Sequence, residues 1–88
     1  STALGRAIKN ANPKMLLEIL ALGANPNQEP VSGYSPIKFA LQKNSIVCLA
    51  ILLGSGTKLT TDDINLLKER FHDKHKLHDI VKLALDIN

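Results

Sequence analysis

Residues 35–60 read SPIKFALQKNSIVCLAILLGSGTKLT, and residues 2–27 read TALGRAIKNANPKMLLEILALGANPN. The two stretches align without gaps at a constant offset, so that position 2 matches position 35 and position 27 matches position 60. A fixed period of this length is typical of a solenoid, in which a helical unit hides its apolar face by stacking on a copy of itself. Seven aligned positions carry the same kind of side chain: Thr2, Leu4, Ala7, Leu16, Ile19, Leu20 and Gly23 recur as Ser35, Ile37, Ala40, Leu49, Leu52, Leu53 and Gly56.

The composition is that of a small globular domain. The chain has 88 residues, 44% of them hydrophobic, with one Tyr and two Phe, so we expect a single domain at 1–88 with an aliphatic core. Cys48 is the sole cysteine, which excludes an intrachain disulfide and is typical of a small buried hydrophobe, with a reactive thiol as the alternative. The longest apolar stretch, residues 46–53, is far shorter than the ~20 residues that span a bilayer.

Local patterns divide the first stretch into two helices. Thr2 can cap a helix at about residues 3–10. Asn12 followed by Pro13 predicts the start of a second helix, because Asn binds exposed amides and Pro is already set for the first helical position. Gly23 ends that helix near residue 22, since glycine accepts the left-handed conformation that a side chain resists.

Residues 24–34 are polar and rich in Asn, Pro and Gly, which predicts an extended finger with a tight turn. The second stretch then repeats the helical pair at about residues 36–43 and 46–53, with a break and a new cap at Asn44 and Ser45. The finger therefore lies between two copies of one helical pair.

Two more helices are predicted after the second stretch. The first, at about 62–71, is opened by Thr60 or Thr61 and has acidic residues in its first turn. The second, at about 76–86, has four apolar residues on one face: Leu77, Ile80, Leu83 and Ala84. The chain between the second and third units has no room for another finger, so the third unit is a shortened one with a polar outer face, as a terminal capping unit requires.

The helix at residues 46–53 has no polar stripe to face water. A helix that is apolar all round is covered on more than one side. We therefore expect the first helical pair to cover one side and the carboxy-terminal segment to cover the other, with the second pair in the middle.

Family resemblance follows from the motifs of the second stretch. Residues 33–40 read GYSPIKFA and are followed by an apolar pair at 46–47, Leu-Leu at 52–53 and Gly56. This resembles the ankyrin repeat, whose signature is Gly-x-Thr-Pro-Leu-His-x-Ala, an apolar pair, Leu-Leu and a closing Gly. Residues 23–27, GANPN, likewise resemble the family's Gly-Ala-Asp-x-Asn entry into its finger.

The resemblance implies an all-α fold, an ankyrin-repeat solenoid of stacked antiparallel helix pairs with one β-hairpin-like finger loop. Full repeats would occupy about residues 2–34 and 35–60, and a degenerate capping repeat about 61–88. Two family positions depart from the signature. The His that links neighbouring repeats is Gly5 and Lys38 here, and the Gly of the short inter-helix loop is Ala11 and Asn44, of which Asn tolerates a left-handed turn better.

The same resemblance implies a function, because ankyrin domains are non-enzymatic modules that bind other proteins through their fingertips and inner helices. We therefore expect a protein-protein interaction module, a segment of a larger scaffold, regulatory or effector protein. The family's variable contact positions fall on seven residues of this chain: Val31, Ser32, Tyr34, Gln42, Lys43, Lys9 and Asn10.

Tyr34 is the preferred anchor for a partner, because it combines a rigid apolar ring with a polar tip. Its alternative role is local packing of the ring against the finger. Lys9, Asn10, Gln42 and Lys43 could equally form an ordinary solvated face. The resemblance names no partner, and we expect the isolated module to be monomeric and intracellular, in the cytoplasm, with the nucleus or a host cytosol as alternatives.

Catalytic and metal-binding patterns were also considered. His72, His75 and His78 follow at steps of three with Asp73 and Asp79 nearby, and these side-chain types can bind zinc. The neighbouring lysines and a predicted helix break argue instead for a solvated turn, so no metal site is expected. The sequence has no Gly-rich phosphate loop after a strand and no spacing typical of a Ser, His and acid trio. We therefore predict no enzyme activity and no cofactor.

Net charge leaves one alternative open. The chain carries a formal charge of +3, which would attract an anionic partner, either nucleic acid or phospholipid headgroups. Nucleic acid is disfavoured, because base-stacking aromatic residues are scarce and acidic residues interrupt the basic cluster. That cluster comprises Lys68, Arg70, Lys74 and Lys76, interrupted by Glu69, Asp73 and Asp79.

Overall fold

Six α-helices make up the regular structure of this computed structural model, which describes residues 2–87 and, within that range, every side chain except those of residues 74, 77, 81, 85 and 87. The helices are α1 (Ala3–Lys9), α2 (Pro13–Ala21), α3 (Pro36–Gln42), α4 (Ile46–Gly54), α5 (Thr61–Arg70) and α6 (Lys74–Ile87). The described part contains no strand and 63% of the chain is helical, which confirms the all-α prediction. The bounds lie within two residues of those expected. The predicted domain also includes residues 1 and 88, and the predictions name the side chains of Lys74 and Leu77. These lie outside the part of the chain that the structure describes.

Polar residues that precede the helices explain where they begin. The side chains of Thr2, Asn12, Ser35 and Thr60 each accept a hydrogen bond from the backbone N–H three residues later, at 2.9 to 3.1 Å. Each bond satisfies an amide that the first helical turn leaves without a partner. Thr60, not Thr61, caps α5, and Asp63 completes a capping box with it.

Positive φ angles occur at equivalent positions of the two aligned stretches. Ala11 follows α1 with a φ of 48°, and Asn44 follows α3 with a φ of 56°. Gly23 follows α2 with a φ of 98°, and Gly56 follows α4 with a φ of 81°. These are left-handed conformations that a Cβ disfavours. Of these four residues, three are Gly or Asn, which tolerate a positive φ, and Ala11 is the exception.

The helices contact one another in two rows. In one row α3 contacts α1 and α5, and in the other α4 contacts α2 and α6. Within each of the first two pairs the helices also contact each other, α1 with α2 and α3 with α4. No helix of the described residues is long and apolar enough to cross a membrane.

The core is centred on α4, where five consecutive residues, Cys48 to Leu52, are completely buried. The contacts of α4 with α2, α3 and α6 agree with the expectation that this apolar helix is covered on more than one side. Val47 departs from it, since 43% of its surface is exposed. One cluster unites the buried residues of all six helices: Leu4, Ala7, Ile8, Leu16, Ile37, Phe39, Ala40, Leu41, Cys48, Leu49, Ala50, Ile51, Leu52, Leu67, Phe71, Ile80 and Ala84.

The segment between α2 and α3 forms turns with a single antiparallel bridge, between Val31 and Tyr34. The Tyr34 N–H donates to the Val31 carbonyl at 3.0 Å. The segment is also fastened to the chain after α4, because the Thr57 hydroxyl donates to the Pro26 carbonyl at 3.1 Å. The segment expected to form a β-hairpin-like finger therefore consists of turns with one bridge and contains no strand.

Candidate functional site

The seven predicted contact residues lie on the surface formed by α1, α3 and the loop before α3. Six of them are exposed, and Tyr34 is half-buried. Four of the seven, Lys9, Asn10, Val31 and Lys43, line a common cleft of about 390 Å³. Ser32, Tyr34 and Gln42 are not among its lining residues. The cleft is also lined by three residues that were not predicted, Gly5, Arg6 and Phe39.

The apolar part of the cleft is formed by Val31 and Phe39. Val31 is 42% exposed, whereas Phe39 is 7% exposed and belongs to the core. The Lys43 ammonium lies 5.4 Å from the centroid of the Phe39 ring, a distance at which a cation is attracted to the ring face. The cleft therefore offers a small apolar surface beside a positive charge.

The charged part of the cleft is entirely basic. Arg6, Lys9 and Lys43 are exposed and line it, and no carboxylate does so. The only ion pair within the described part of the chain joins Lys38 to Asp62 at 3.8 Å, outside the cleft. The three cleft cations therefore have no carboxylate partner among the described residues, and their fields add in the space between α1 and α3.

Gly5 lets the loop approach α1 closely. A Cβ built on Gly5 would lie 3.0 Å from the Pro30 Cβ and 3.2 Å from the Pro30 carbonyl oxygen. Pro30 is buried and precedes Val31, so the absence of a side chain at Gly5 sets how near Val31 comes to α1. This close approach leaves little room for a side chain at position 5.

Tyr34 takes part in local packing. Its ring meets the Phe39 ring edge to face, with centroids 6.2 Å apart and planes at 74°, an arrangement that aromatic pairs favour. The Lys38 ammonium lies 5.2 Å from the Tyr34 ring centroid. Of the two roles considered for Tyr34, these contacts favour packing. Val31 is the exposed apolar residue of the cleft.

The repeat offset could have revealed two of the missed residues. Arg6 and Phe39 occupy equivalent positions of the two aligned stretches, as do Lys9 and Gln42, or Asn10 and Lys43. Extending the predicted contact positions by one helical turn towards the start of α1 and α3 reaches Arg6 and Phe39. Gly5 could not be found in this way, because its role depends on a loop that is distant in sequence.

The basic cluster late in the chain is less open than its sequence suggests. The Arg70 side chain donates a hydrogen bond to the Asn44 side chain. Arg70, Lys76 and Asp79 line one cavity, so a carboxylate lies among two of the cations of this cluster. His72, His75 and His78 are exposed, and no group of three His, Cys, Asp or Glu side chains within the described residues could hold a metal ion.

Cys48 is completely buried in α4. Desolvation raises the pKa of its thiol above the ordinary value of 9.0, and a hydrogen bond with Ser45 opposes this in part. Because the thiolate is the nucleophilic form, the structure favours the packing role of Cys48 over the reactive one.

Comparisons with known proteins place no relative beside this fold and cleft. No protein-family model matches the chain, and neither a characterised protein nor a solved structure matches it.

Proposed function

We propose that the chain is an ankyrin-type repeat domain that binds another protein through the surface formed by α1, α3 and the loop that precedes α3. Its units are two full repeats, at about 2–34 and 35–60, and a shortened capping repeat at about 61–88. The observation that carries the proposal is the cleft between the two inner helices, where contact positions of both repeats meet.

The repeat interpretation is supported by geometry as well as by sequence. The caps Thr2 and Ser35 have φ and ψ of −81° and 164°, and −66° and 160°. The caps Asn12 and Ser45 have −106° and 88°, and −94° and 88°. Equivalent residues of the two units therefore adopt the same backbone conformation. The two rows of helix contacts match a stack in which inner helices pack on inner helices and outer on outer.

A hydrogen bond between the second and third units gives further support. Asp63 lies three residues after the cap Thr60. In the two preceding units the equivalent positions are Lys38, three residues after Ser35, and Gly5, three residues after Thr2. This is the position of the family's linking His. The Asp63 carboxylate accepts a hydrogen bond from the Ser35 hydroxyl at 2.5 Å, so it performs the linking role with a different side chain.

A binding role fits the cleft better than a catalytic one. The cleft contains no pairing of a nucleophile with a base, and its cations have apolar neighbours and no acid. We propose that the domain has no enzymatic activity of its own and needs no cofactor. The alternative of an anionic partner at the late basic cluster is weakened by the engagement of Arg70 with Asn44.

The test is capture of partner proteins by immobilised chain from an extract of its source cells. The site variant is Asn10→Ala with Val31→Ala, which leaves the charge unchanged. The matched control is Leu17→Ala with Leu22→Ala, which removes exposed apolar surface from α2 and from the residue that follows it. We expect the site variant to lose its captured proteins by about tenfold, as for loss of a central apolar contact, and the control to retain them. Equal capture by both variants, or no capture by the wild-type chain, contradicts the proposal.

A further inference from the structure

We infer that the segment of the partner that enters the cleft is an acidic peptide carrying one apolar side chain. This inference rests on the proposed function and adds the chemistry of the partner to it. Three cations, Arg6, Lys9 and Lys43, line the cleft, and its exposed apolar surface comes mainly from Val31. Carboxylates would meet the cations while an aliphatic or aromatic side chain covers the apolar surface.

The cations of the cleft have no carboxylate partner among the described residues. No carboxylate lines the cleft, and the sole ion pair of the described residues lies elsewhere. Like charges that line one cleft without a counter-charge repel one another, and a complementary ligand relieves that repulsion. Such complementarity raises the association rate and disfavours basic or neutral partners.

Val31 is the apolar residue of the cleft that remains exposed to water. Val31 leaves 42% of its surface in contact with water, although it lies in a concave site with Phe39. The cleft volume of about 390 Å³ is near the lower end of ligand-binding pockets, so it suits one side chain better than a whole helix. A peptide whose apolar residue enters the cleft would remove Val31 from water.

A protein partner explains the cleft better than nucleic acid does. Binding of single-stranded nucleic acid uses aromatic faces on which bases stack. Phe39 is only 7% exposed, and the Lys43 ammonium lies over its ring. The one aromatic side chain of the cleft is therefore closed to a base.

A structural role for two of the cations must be separated from binding. Lys9 is the last residue of α1 and Lys43 caps the end of α3. A cation at a helix carboxy terminus stabilises the helix by its interaction with the helix dipole. That role would affect stability without any preference for acidic ligands, so the two explanations predict different measurements.

The experiment selects binders to the purified 88-residue chain from a displayed library of random peptides. Peptides of about ten residues are long enough in extended form, at about 3.3 Å per residue, to span the 32 Å long axis of the chain. We expect the enriched peptides to be acidic and to share one aliphatic or aromatic position. Changing their Asp and Glu to Asn and Gln should weaken binding at least tenfold. Enrichment of neutral or basic peptides, or of none, overturns the inference.

Matched charge variants locate the site. Lys9→Glu with Lys43→Glu reverses the sign of two of the three charges that line the cleft. Lys14→Glu with Lys82→Glu makes the same change in net charge on exposed residues of α2 and α6. The first should abolish binding of the enriched acidic peptides and the second should leave it within about threefold, because neither Lys14 nor Lys82 lines the cleft and salt at about 0.1 M weakens the effect of exposed charges. Equal loss in both variants overturns the inference.

Folding of the variants is checked by circular dichroism. If the Glu variant unfolds, Lys9→Gln with Lys43→Gln serves instead, with at least a fivefold loss of binding expected at unchanged helicity. A dT12 oligonucleotide that binds as tightly as the acidic peptides and is lost in the same variant also overturns the inference, in favour of a general polyanion site. The proposed function has a separate outcome: if captured proteins depend on Asn10 and Val31 but not on Lys9 and Lys43, protein binding stands and the acidic partner does not.

Discussion

The carboxylate of Asp63 in α5 accepts a hydrogen bond of 2.5 Å from the hydroxyl of Ser35, which caps α3. The same carboxylate accepts from the Thr60 N–H at 3.0 Å, and Asp63 is only 1% exposed. Ser35 in turn accepts from the Lys38 N–H at 3.1 Å. One buried acid therefore connects the first turns of two helices, α3 and α5, that are separated in sequence by the whole of α4.

Replacement of Asp63 by Ala should destabilise the fold strongly. It removes the capping box and leaves the Ser35 hydroxyl and the Thr60 N–H without their acceptor, so we expect a loss of about 2–4 kcal/mol in the free energy of unfolding. The neighbouring Asp62 is a matched control, because its side chain is 69% exposed and its ion pair with Lys38 spans 3.8 Å. Asp62→Ala should cost less than about 1 kcal/mol. Urea unfolding followed by circular dichroism measures both, and equal losses would contradict the linking role.

Replacement of Ala11 by Gly should stabilise the fold. Ala11 has a φ of 48°, a conformation in which its Cβ approaches the following carbonyl oxygen, and glycine removes that strain. We expect a gain of about 1 kcal/mol, reduced in part by the greater freedom of glycine in the unfolded chain.

The control for Ala11 is Ala21, which is exposed and helical at the end of α2. Ala21→Gly should lower stability by up to about 1 kcal/mol. Thermal unfolding compares the two variants, and a lower melting temperature for Ala11→Gly than for the wild-type chain would refute the prediction.

Two consecutive leucines of α2 test the position of the core. Leu16 is completely buried, whereas Leu17 is 40% exposed. Leu16→Ala should cost about 2–5 kcal/mol, because it leaves a cavity among the helices, and Leu17→Ala should cost less than about 1 kcal/mol. Denaturant midpoints provide the measurement. Similar costs for the two variants would mean that α2 packs through a different face.

Stability should fall in alkaline solution because of Cys48. Burial raises the pKa of this thiol above 9.0 in the folded state, so over the range between the two pKa values the folded chain holds a proton that the unfolded chain has released. This contribution is fully present below the ordinary pKa of 9.0, which the thiol has in the unfolded chain, and is lost as the pH rises through the raised pKa. The slope attributable to one thiol is at most about 1.4 kcal/mol per pH unit.

Unfolding free energies measured from about pH 7 to about pH 10 test this. Cys48→Ala is the control, because it lacks the thiol and retains every other titratable group of the chain. The wild-type chain should lose stability more steeply with pH than the variant. Rapid labelling of Cys48 by a thiol reagent under native conditions would show that the thiol is not buried.

Much of the fold could be predicted from the sequence because its determinants are local. Caps such as Thr2 and Asn12, and Gly23 with its freedom for positive φ, fix where helices begin and end through contacts with residues a few positions away. The finger was predicted with more β structure than it has. A β-hairpin needs a series of backbone hydrogen bonds between two strands, and this loop has only the single bridge between Val31 and Tyr34.

The cleft was predicted only in part, because its residues come from separate segments. Lys9, Asn10, Val31 and Lys43 could be marked by resemblance, whereas the convergence of Arg6 with Phe39 depends on how α1 and α3 pack. The role of Asp63 was also missed. As a sequence feature it is an acidic residue in the first turn of a helix, and nothing local indicates that it reaches Ser35.

By itself, the sequence determined the six helices and the apolar character of α4, since helical periodicity, capping and turn formation depend on neighbours along the chain. Only the tertiary structure decided which surfaces meet: that Tyr34 packs on Phe39, that Pro30 lies against Gly5, and that the basic side chains of α1 and α3 converge around Val31. Such contacts join residues distant in the sequence, and their distances are set by the packing of whole helices.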